Sequence, residues 1–318
     1  MATCARNLIQ SAWNQSGESS TKVRYNNQIM STQLPSLKNV AIVLRPGSND
    51  TLIEGATIQS WLKTRGVNSL VTTTDKLRLR REIESGVVDM LIALGGDGTM
   101  LRAGHLAAPH GLPILGINLG KFGFLMQLSR ADWQEKLPRL LDGDYKIENR
   151  MMLKAELWHL QELVSTSHVI NEVVVARGRV VRPIRIRAAV DGYMLAGYVA
   201  DGLIAATPTG STAYALAVGG PIMPPELRNI LIVPVAPHLS MDRAAILPEG
   251  ASVEITVDCD HEALMSVDGH EPAAFGNNNR VRVTASELVA KFVVFQDPGY
   301  FYRNLSNYME QNPSIGDF

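Results

Sequence analysis

The chain has few cysteines, almost no net charge and no long apolar run. Only Cys4 and Cys259 occur among its 318 residues, which excludes a disulfide framework and favours a reducing, cytoplasmic compartment. The formal net charge of -1 provides no general attraction for nucleic acid. No apolar stretch approaches the roughly 18 residues that a membrane-spanning helix needs. We therefore expect a soluble protein without a nucleic-acid or membrane partner.

Two common nucleotide-binding signatures are missing as well. No Gly-x-x-x-x-Gly-Lys-Ser/Thr segment and no Gly-x-Gly-x-x-Gly segment follows a predicted strand. An ordinary P-loop kinase and a Rossmann dehydrogenase are therefore both disfavoured. Most histidines also lack the spacing of metal ligands, so we expect surface or satisfied core positions for His105, His110, His159, His168 and His261.

The length of the chain and its 46% hydrophobic content predict a sizeable core and two domains. Apolar strands alternate with helices over 38–142, which is typical of an open parallel sheet covered on both faces, a Rossmann-like α/β domain. Residues 143–296 follow the two-residue period of hairpins, which predicts a β-rich, β-sandwich-like domain. The tail 297–318 is expected to pack back on the first domain.

Periodicity also predicts the individual elements. In the first domain the strands cover 40–44, 70–71, 90–94 and 113–117, and the helices cover 52–63, 77–85, 99–108 and 131–141. In the second domain the strands cover 147–160, 168–176, 184–190, 193–199, 230–233, 253–257, 281–283 and 289–295.

Residues 1–37 are a separate segment. They are rich in Ser, Thr, Asn and Gln and show no apolar period, so we predict a disordered extension. Three basic residues oppose a single acid, Glu18, which is weakly similar to a transit peptide. An upstream start is a third interpretation, since Met30 could open the chain.

The most informative segment is the glycine corner, which reads Gly-Gly-Asp-Gly-Thr over 95–99 and lies where a predicted strand ends and a helix begins. Glycines let the backbone approach a ligand closely, and the helix start offers unpaired N–H groups that favour phosphate. A carboxylate among such glycines is expected to hold a metal ion or to remove a proton, which indicates phosphoryl transfer. An ordinary strand-to-helix turn is the alternative. Residues 116–120 end the next strand, so both segments should meet at the carboxyl edge of the sheet.

Residues 201–214 lead an apolar strand into a turn dense with hydroxyl groups. Five hydroxyl residues in eight positions suit a polyhydroxylic ligand such as a ribose, with Tyr214 available to pack on a base. The alternative is that Thr209 or Ser211 only caps a short helix. The pair Asn171-Glu172 precedes another apolar strand, and there a solvated strand end is the alternative.

These segments, in this order, closely resemble the NAD kinase family. The resemblance runs from about residue 38 to near the C terminus. Its motifs are Gly-Gly-Asp-Gly-Thr at 95–99, Gly-Ile-Asn-Leu-Gly-Lys-Phe-Gly-Phe-Leu at 116–125, Asn-Glu-Val-Val at 171–174, and Asp-Gly-Leu-Ile at 201–204 with Thr-Pro-Thr-Gly-Ser-Thr-Ala-Tyr at 207–214 and Gly-Gly-Pro at 219–221. The first motif alone is shared with diacylglycerol-type lipid kinases, whereas the hydroxyl-rich motif is far more specific.

The resemblance implies transfer of the γ-phosphoryl group of ATP to the 2′-hydroxyl of the adenosine ribose of NAD, which gives NADP and ADP. It implies a divalent cation, Mg²⁺, and a homo-oligomer, either a dimer or a tetramer. Asp97 is implied as the general base, in an active site in the cleft between the domains. The residues implied to bind ATP or NAD are Gly95, Gly96, Asp97, Gly98, Thr99, Arg102, Asn118, Asn171, Glu172, Arg182, Asp201, Thr207, Ser211, Thr212, Ala213, Tyr214 and His270.

Two places depart from the family pattern. Residues 237–244 read Pro-His-Leu-Ser-Met-Asp-Arg-Ala where Pro-His-Ser-Leu-Ser-x-Arg-Pro is common, and His270 stands where glutamine or another polar residue is frequent. These differences concern contacts around the cofactor and not the reaction. Two other functions stay open: a lipid kinase, which should show an exposed apolar groove beside Asp97, and a dinucleotide-binding sensor without turnover.

Overall fold

The computed structural model describes residues 37–74, 76–120, 123–238 and 242–295, with the isolated positions 301, 302 and 305. The predictions for residues 1–36 and for most of the tail 297–318 lie outside the described residues. Within the described part of the chain, no helix is long and apolar enough to cross a membrane.

The first half of the chain alternates strands and helices, as predicted. Its elements are β1 (Asn39–Leu44), α1 (Asn49–Lys63), β2 (Asn68–Thr73), α2 (Leu77–Glu84), β3 (Met90–Gly95), α3 (Asp97–Ala107), β4 (Pro113–Asn118), β5 (Leu128–Ser129) and α4 (Trp133–Leu141). The five strands pair in parallel. Side chains of β3 enter two apolar clusters in turn, Leu91 and Ala93 on one face and Ile92 and Leu94 on the other. Both faces are buried, which explains the continuous apolar strands.

The second half is built almost entirely from strands. They are β6 (Lys146–His159), β7 (Glu162–Val169), β8 (Glu172–Arg177), β9 (Ile184–Val190), β10 (Tyr193–Ala200), β11 (Gly202–Ala206), β12 (Asn229–Val235), β13 (Ala245–Pro248), β14 (Val253–Asp258), β15 (Ala263–Val267), β16 (Ala273–Ala274) and β17 (Asn279–Val294). A 3₁₀ turn at Thr209–Thr212 and the short helix α5 (Tyr214–Ala217) follow β11.

The strands form two sheets. One has eleven strands in the main order β10-β9-β14-β17-β4-β3-β1-β2, with β5, β6 and β7 paired beside this path, and the other has six in the order β13-β12-β11-β8-β15-β16. Apolar side chains from both sheets, such as Ile186 and Val281 from the first and Val173 and Leu203 from the second, share one buried cluster. The predicted fold class, a Rossmann-like parallel region with a β-sandwich-like region, is confirmed.

The two halves share a strand. β17 pairs antiparallel with β6 and β14, and its Lys291 and Phe292 then pair in parallel with β4. The parallel sheet of the first half is therefore continuous with strands of the second. The division into domains at residue 143 stays a prediction.

Two predicted strand limits are wrong. The single strand predicted at 168–176 is split into β7 and β8, because the backbone N–H groups of residues 170–172 turn to the carboxylate of Asp268. The two strands predicted at 281–283 and 289–295 are one strand, β17, whose register with β6 shifts between Ala285 and Val289. In this bulge the hydroxyl of Ser286 accepts the N–H of Leu288 at 3.0 Å, which satisfies a backbone donor without ending the strand.

Candidate functional site

Asp97 is the first residue of α3 and follows the N-cap residue Gly96 at the end of β3. Its carboxylate accepts hydrogen bonds from the backbone N–H groups of Phe124 at 3.0 Å and Leu125 at 3.1 Å. Burial raises the pKa of Asp97 above its ordinary value, although both hydrogen bonds and the positive charge of Arg150 act to lower it. A half-buried carboxylate with a raised pKa is suited to accept a proton.

Residues 123–125 lie over the carboxylate of Asp97. A Cβ atom on Gly123 would lie 2.4 Å from Oδ1 of Asp97, so only glycine allows this close approach. Asn118 pairs in register with Gly95, and its side-chain Oδ1 accepts the N–H of Gly120 at 3.0 Å. The expectation that these two segments meet at the carboxyl edge of the sheet is confirmed.

Two arginines differ in their relation to the glycine corner. Arg102 lies on the exposed side of α3, while Thr99 of the same helix is buried. Arg150 on β6 is buried, with Nε 2.5 Å from Oε1 of Glu148 and its guanidinium 4.2 Å from the ring centroid of Phe292. The sequence patterns did not single out Arg150, because nothing local to β6 shows that its charge faces a residue on α3.

The pair Asn171-Glu172 lies beside the hydroxyl-rich turn. The N–H of Thr207 donates to the carbonyl oxygen of Asn171 at 2.8 Å, and the Thr207 hydroxyl donates to the carbonyl oxygen of Ile170 at 2.5 Å. β8 and β11 run antiparallel with Glu172 opposite Ala206, so the start of one strand and the end of the other coincide. Two motifs about 35 residues apart in sequence thus form one surface.

Several hydroxyl groups of this turn serve the turn itself. The Ser211 hydroxyl donates to the carbonyl oxygen of Pro208 at 2.6 Å and accepts the N–H of Met223 at 2.9 Å. The Thr212 hydroxyl donates to the carbonyl oxygen of Thr209 at 3.1 Å. These hydroxyl groups therefore stabilise the turn, but neither Thr209 nor Ser211 caps one of the two short helices.

Three buried oxygens at this surface have no hydrogen-bond partner within the described residues. They are Oδ1 of Asn171, Oε2 of Glu172 and Oγ1 of Thr209. Because a buried polar atom without a partner is costly, these oxygens are the best candidates to contact a ligand. Thr209 was not among the predicted binding residues, although its place in the hydroxyl-rich motif was a signal. Tyr214 is 43% exposed and can offer its ring to a base.

Asp268 holds the strand junction that carries Asn171 and Glu172. It lies in a tight turn after β15 with a φ of 48°, and Gly269 follows with a φ of 71°. Its carboxylate accepts the N–H groups of Ile170, Asn171 and Glu172 at 2.7, 2.8 and 2.9 Å. Burial and the charge of Asp268 together raise the pKa of Glu172 to about 8. Glu172 is therefore largely protonated near neutral pH.

His270 lies in the same turn as Asp268, and His105 of α3 contacts this turn from the first half of the chain. The rings of His105 and His270 have centroids 5.2 Å apart, and Nε2 of His105 lies 2.8 Å from Oδ2 of Asp268. Helix α3 therefore carries Asp97 at its start and contacts the Asp268 turn two helical turns later.

Asp201 and Arg182 lie away from this surface. Asp201 precedes β11, and six strand steps separate it from Thr207, roughly 20 Å. Its carboxylate is 2.9 Å from Nε of Arg177, and the guanidinium of Arg182 is 3.5 Å from Asp260. Both predicted binding residues thus lie at the end of the six-stranded sheet that is opposite Asn171.

The helix that begins at the glycine corner with Asp97 also contacts the Asp268 turn, which holds Asn171 and Glu172 beside the hydroxyl-rich turn. This arrangement is the one expected of a nucleotide-dependent phosphotransferase. Two family models match the chain, the ATP-NAD kinase N-terminal domain over residues 52–145 and the ATP-NAD kinase C-terminal domain over residues 170–295. The chain belongs to the ATP-NAD kinase family, and the expectation of an NAD kinase is confirmed.

Individual relatives agree with this assignment. The chain is 37% identical over 284 residues to the NAD kinase of Heliobacterium modesticaldum, which covers 86% of this chain and 99% of the relative. It is 33% identical over 278 residues to the NAD kinase of Pseudomonas putida, covering 84% and 94% of the two chains.

Solved structures show the same fold. Yeast NADH kinase complexed with NADH superimposes with a TM-score of 0.77 at 24% identity, covering 89% of this chain and 90% of the yeast chain. An NAD kinase from Archaeoglobus fulgidus in complex with ATP gives a TM-score of 0.69 at 24% identity, covering 87% and 100%.

Proposed function

We propose that Asp97 is the general base in the transfer of the γ-phosphoryl group of ATP to the 2′-hydroxyl of NAD. The observation that carries this role is the half-buried carboxylate with a raised pKa at the start of α3. The hydroxyl proton passes to Asp97 while the ribose oxygen attacks the γ-phosphorus. The bond from the γ-phosphorus to its bridging oxygen breaks, ADP leaves, and Asp97 returns its proton to solvent.

The phosphates of the nucleotides are assigned to the glycine corner. The first turn of α3 presents unpaired backbone N–H groups and the positive end of the helix dipole. A Cβ atom at Gly96 or Gly98 would meet nothing within 4 Å, so the backbone is open to a ligand there. Arg102 extends the same helix surface with a positive charge.

Mg²⁺ is assigned to the phosphates of ATP rather than to a protein cage. No group of three His, Cys, Asp or Glu side chains in the described ranges is placed to hold a metal ion. Mg²⁺ usually keeps several waters and takes few protein carboxylates when it binds with substrate phosphates. The bound ion would supply charge neutralisation on the phosphate oxygens.

The dinucleotide is assigned to the surface formed by Asn171, Glu172 and the hydroxyl-rich turn. Its ribose hydroxyls would pair with the unpartnered oxygens of Asn171, Glu172 and Thr209, and the exposed ring of Tyr214 would pack on a base. Gly104 of α3 packs near Ile170 and His105 lies beside Asp268, which supports an active site between the two halves of the chain.

A homo-oligomer is part of the proposal. Asp201 and Arg182 lie at the end of the six-stranded sheet opposite Asn171, which supports a contact with a dinucleotide held by a second copy. β10, which ends just before Asp201, is an edge strand of the large sheet, with Tyr193 81% and Met194 64% exposed. Exposed apolar side chains on a sheet edge favour pairing with another chain.

Light scattering measures the mass in solution and so tests the proposed homo-oligomer. A mass equal to that of one chain would contradict it. We expect Asp97→Asn and Asp201→Ala each to be inactive alone. When the two proteins are mixed, some activity should return, because in a mixed oligomer some sites take the native Asp97 from one copy and the native Asp201 from the other.

The activity is tested by following NADP formation with ATP and Mg²⁺, with NAD, NADH and diacylglycerol as alternative acceptors. We expect NAD to be phosphorylated and the lipid to be ignored. Tight binding of the dinucleotide without formation of NADP would favour the alternative of a dinucleotide-binding sensor without turnover. A cytoplasmic location, which the cysteine usage favours, belongs to the same proposal and is tested by cell fractionation.

A further inference from the structure

His105 is the side chain by which α3 contacts the Asp268 turn. Its Nε2 lies 2.8 Å from Oδ2 of Asp268, a carboxylate whose side chain is 0% exposed. This short contact is not aligned as a hydrogen bond, so Nε2 of His105 is a buried polar atom without a hydrogen-bond partner among the described residues. No step of the proposed reaction uses His105, and sequence analysis assigned it only a surface or core position.

Asp268 divides its two oxygens between the strand junction and the helix. Oδ1 accepts the N–H groups of Asn171 and Glu172, and Oδ2 accepts that of Ile170 while facing His105. The direction of the Asn171 and Glu172 side chains depends on this backbone. A group that fixes the position of Oδ2 therefore also influences the direction of the Asn171 and Glu172 side chains.

Close packing makes this contact sensitive to distance. A Cβ atom on Gly104 would lie 2.5 Å from Cδ1 of Ile170, so the helix backbone approaches the junction as closely as glycine allows. His105 follows directly on the helix. It lies eight residues after Asp97, about 12 Å along the helix axis.

We propose that His105 is a positioning residue that sets the distance between the base Asp97 and the pair Asn171-Glu172, acting through Asp268. With its Nε2 carrying the proton and the ring aligned, as we propose for the working enzyme, His105 donates to Oδ2 and completes the set of donors around that carboxylate. The ring of His270 lies beside the same imidazole, so the dinucleotide contact implied for His270 depends on His105 as well. This inference rests on the proposed dinucleotide site.

The test is a set of His105 variants assayed with NAD and with ATP as the varied substrate. His105→Phe keeps a ring beside His270 and loses the nitrogen, and we expect kcat/KM for NAD to fall at least about tenfold, since small displacements near reacting groups are costly. The KM for ATP should stay within about twofold. His105→Gln, whose amide can reach Asp268, should retain most of the activity, and the shorter His105→Asn should behave like His105→Phe.

Two further proteins make the result decisive. His110→Gln changes an exposed histidine three residues after α3 ends and should match the wild type. Asn171→Ala should raise the KM for NAD; if it does not, the dinucleotide site is wrong and this inference falls with it. Suppose that Asn171→Ala raises the KM for NAD while His105→Phe and His105→Asn keep the wild-type kcat/KM for NAD. Then only the positioning role of His105 is overturned. Equal changes in both KM values would also overturn it.

Discussion

Two aspartates at the two ends of α3 hold neighbouring backbone in the same way but in different surroundings. Asp97 accepts two N–H groups and is half-buried, whereas Asp268 accepts three and its side chain is 0% exposed. The Asp97 carboxylate keeps a free lone pair and access to a ligand, while the Asp268 carboxylate is surrounded by donors. The comparison separates a carboxylate that can exchange a proton from one that anchors a strand junction.

The strongest test of this comparison is removal of the charge at Asp97. Asp97→Asn should lower kcat by about a thousandfold or more, because the amide cannot take the hydroxyl proton. The KM for NAD should change little. Steady-state NADP formation measures both quantities.

Asp89→Asn is the matched control. Asp89 also accepts two backbone N–H groups, from Lys38 and Asn39, both at 2.8 Å, but it lies at the amino ends of the strands. We expect this variant to lose stability and to keep kcat. Comparable losses of kcat in the two variants would show that Asp97 only holds a loop.

A smaller effect is expected when the loop over Asp97 is pushed away. Gly123→Ala would bring a methyl group to 2.4 Å from Oδ1 of Asp97, so either the carboxylate or the loop must move. We expect kcat to fall by about a hundredfold with the fold retained, as measured by kinetics and thermal melting. Gly120→Ala is the control in the same loop, since its Cβ would meet nothing within 4 Å. Equal activity of the two alanine variants would contradict the close contact.

The smallest effect concerns Glu172, whose pKa of about 8 reflects burial and the charge of Asp268. A carboxyl group with a higher pKa in the folded state binds more protons there, so its contribution to stability falls as pH rises from about 4.5 to about 8. Glu172→Gln removes that loss. We expect the variant to be more stable than the wild type by on the order of 1–3 kcal/mol near pH 8.5, and to match it near pH 4.

Thermal melting of the nucleotide-free protein across this pH range measures the difference. For a chain of 318 residues, each kcal/mol shifts the Tm by about 1.5 °C. A difference that does not change with pH would contradict the raised pKa of Glu172.

The α/β half could be predicted from sequence because its signals are local. Continuous apolar strands, helical periods and the glycine corner each lie within one short window, and β3, α3 and Asp97 were found where they were expected. The main error there was length, since β2 covers Asn68–Thr73 and not only 70–71. Its residues are largely half-buried and polar, so they give a weak strand signal.

The strand junction at Asn171 could not be predicted in the same way. The window 168–176 has apolar residues on both sides of the pair Asn171-Glu172 and is predicted as one strand. The group that breaks it, Asp268, is almost a hundred residues away. The unpartnered oxygen of Thr209 and the buried charge of Arg150 are likewise properties of the assembled structure. Motifs identified Asn171 and Glu172, whereas only coordinates show what holds them.

β17 has a consequence for how this protein is made. On the ribosome, β4 emerges long before Lys291 and Phe292, the residues that become its neighbours. Until then one side of the parallel sheet lacks its permanent strand, and the nascent chain must keep that edge from pairing with others. A fragment truncated before β17 should therefore aggregate, even though it contains the complete glycine corner.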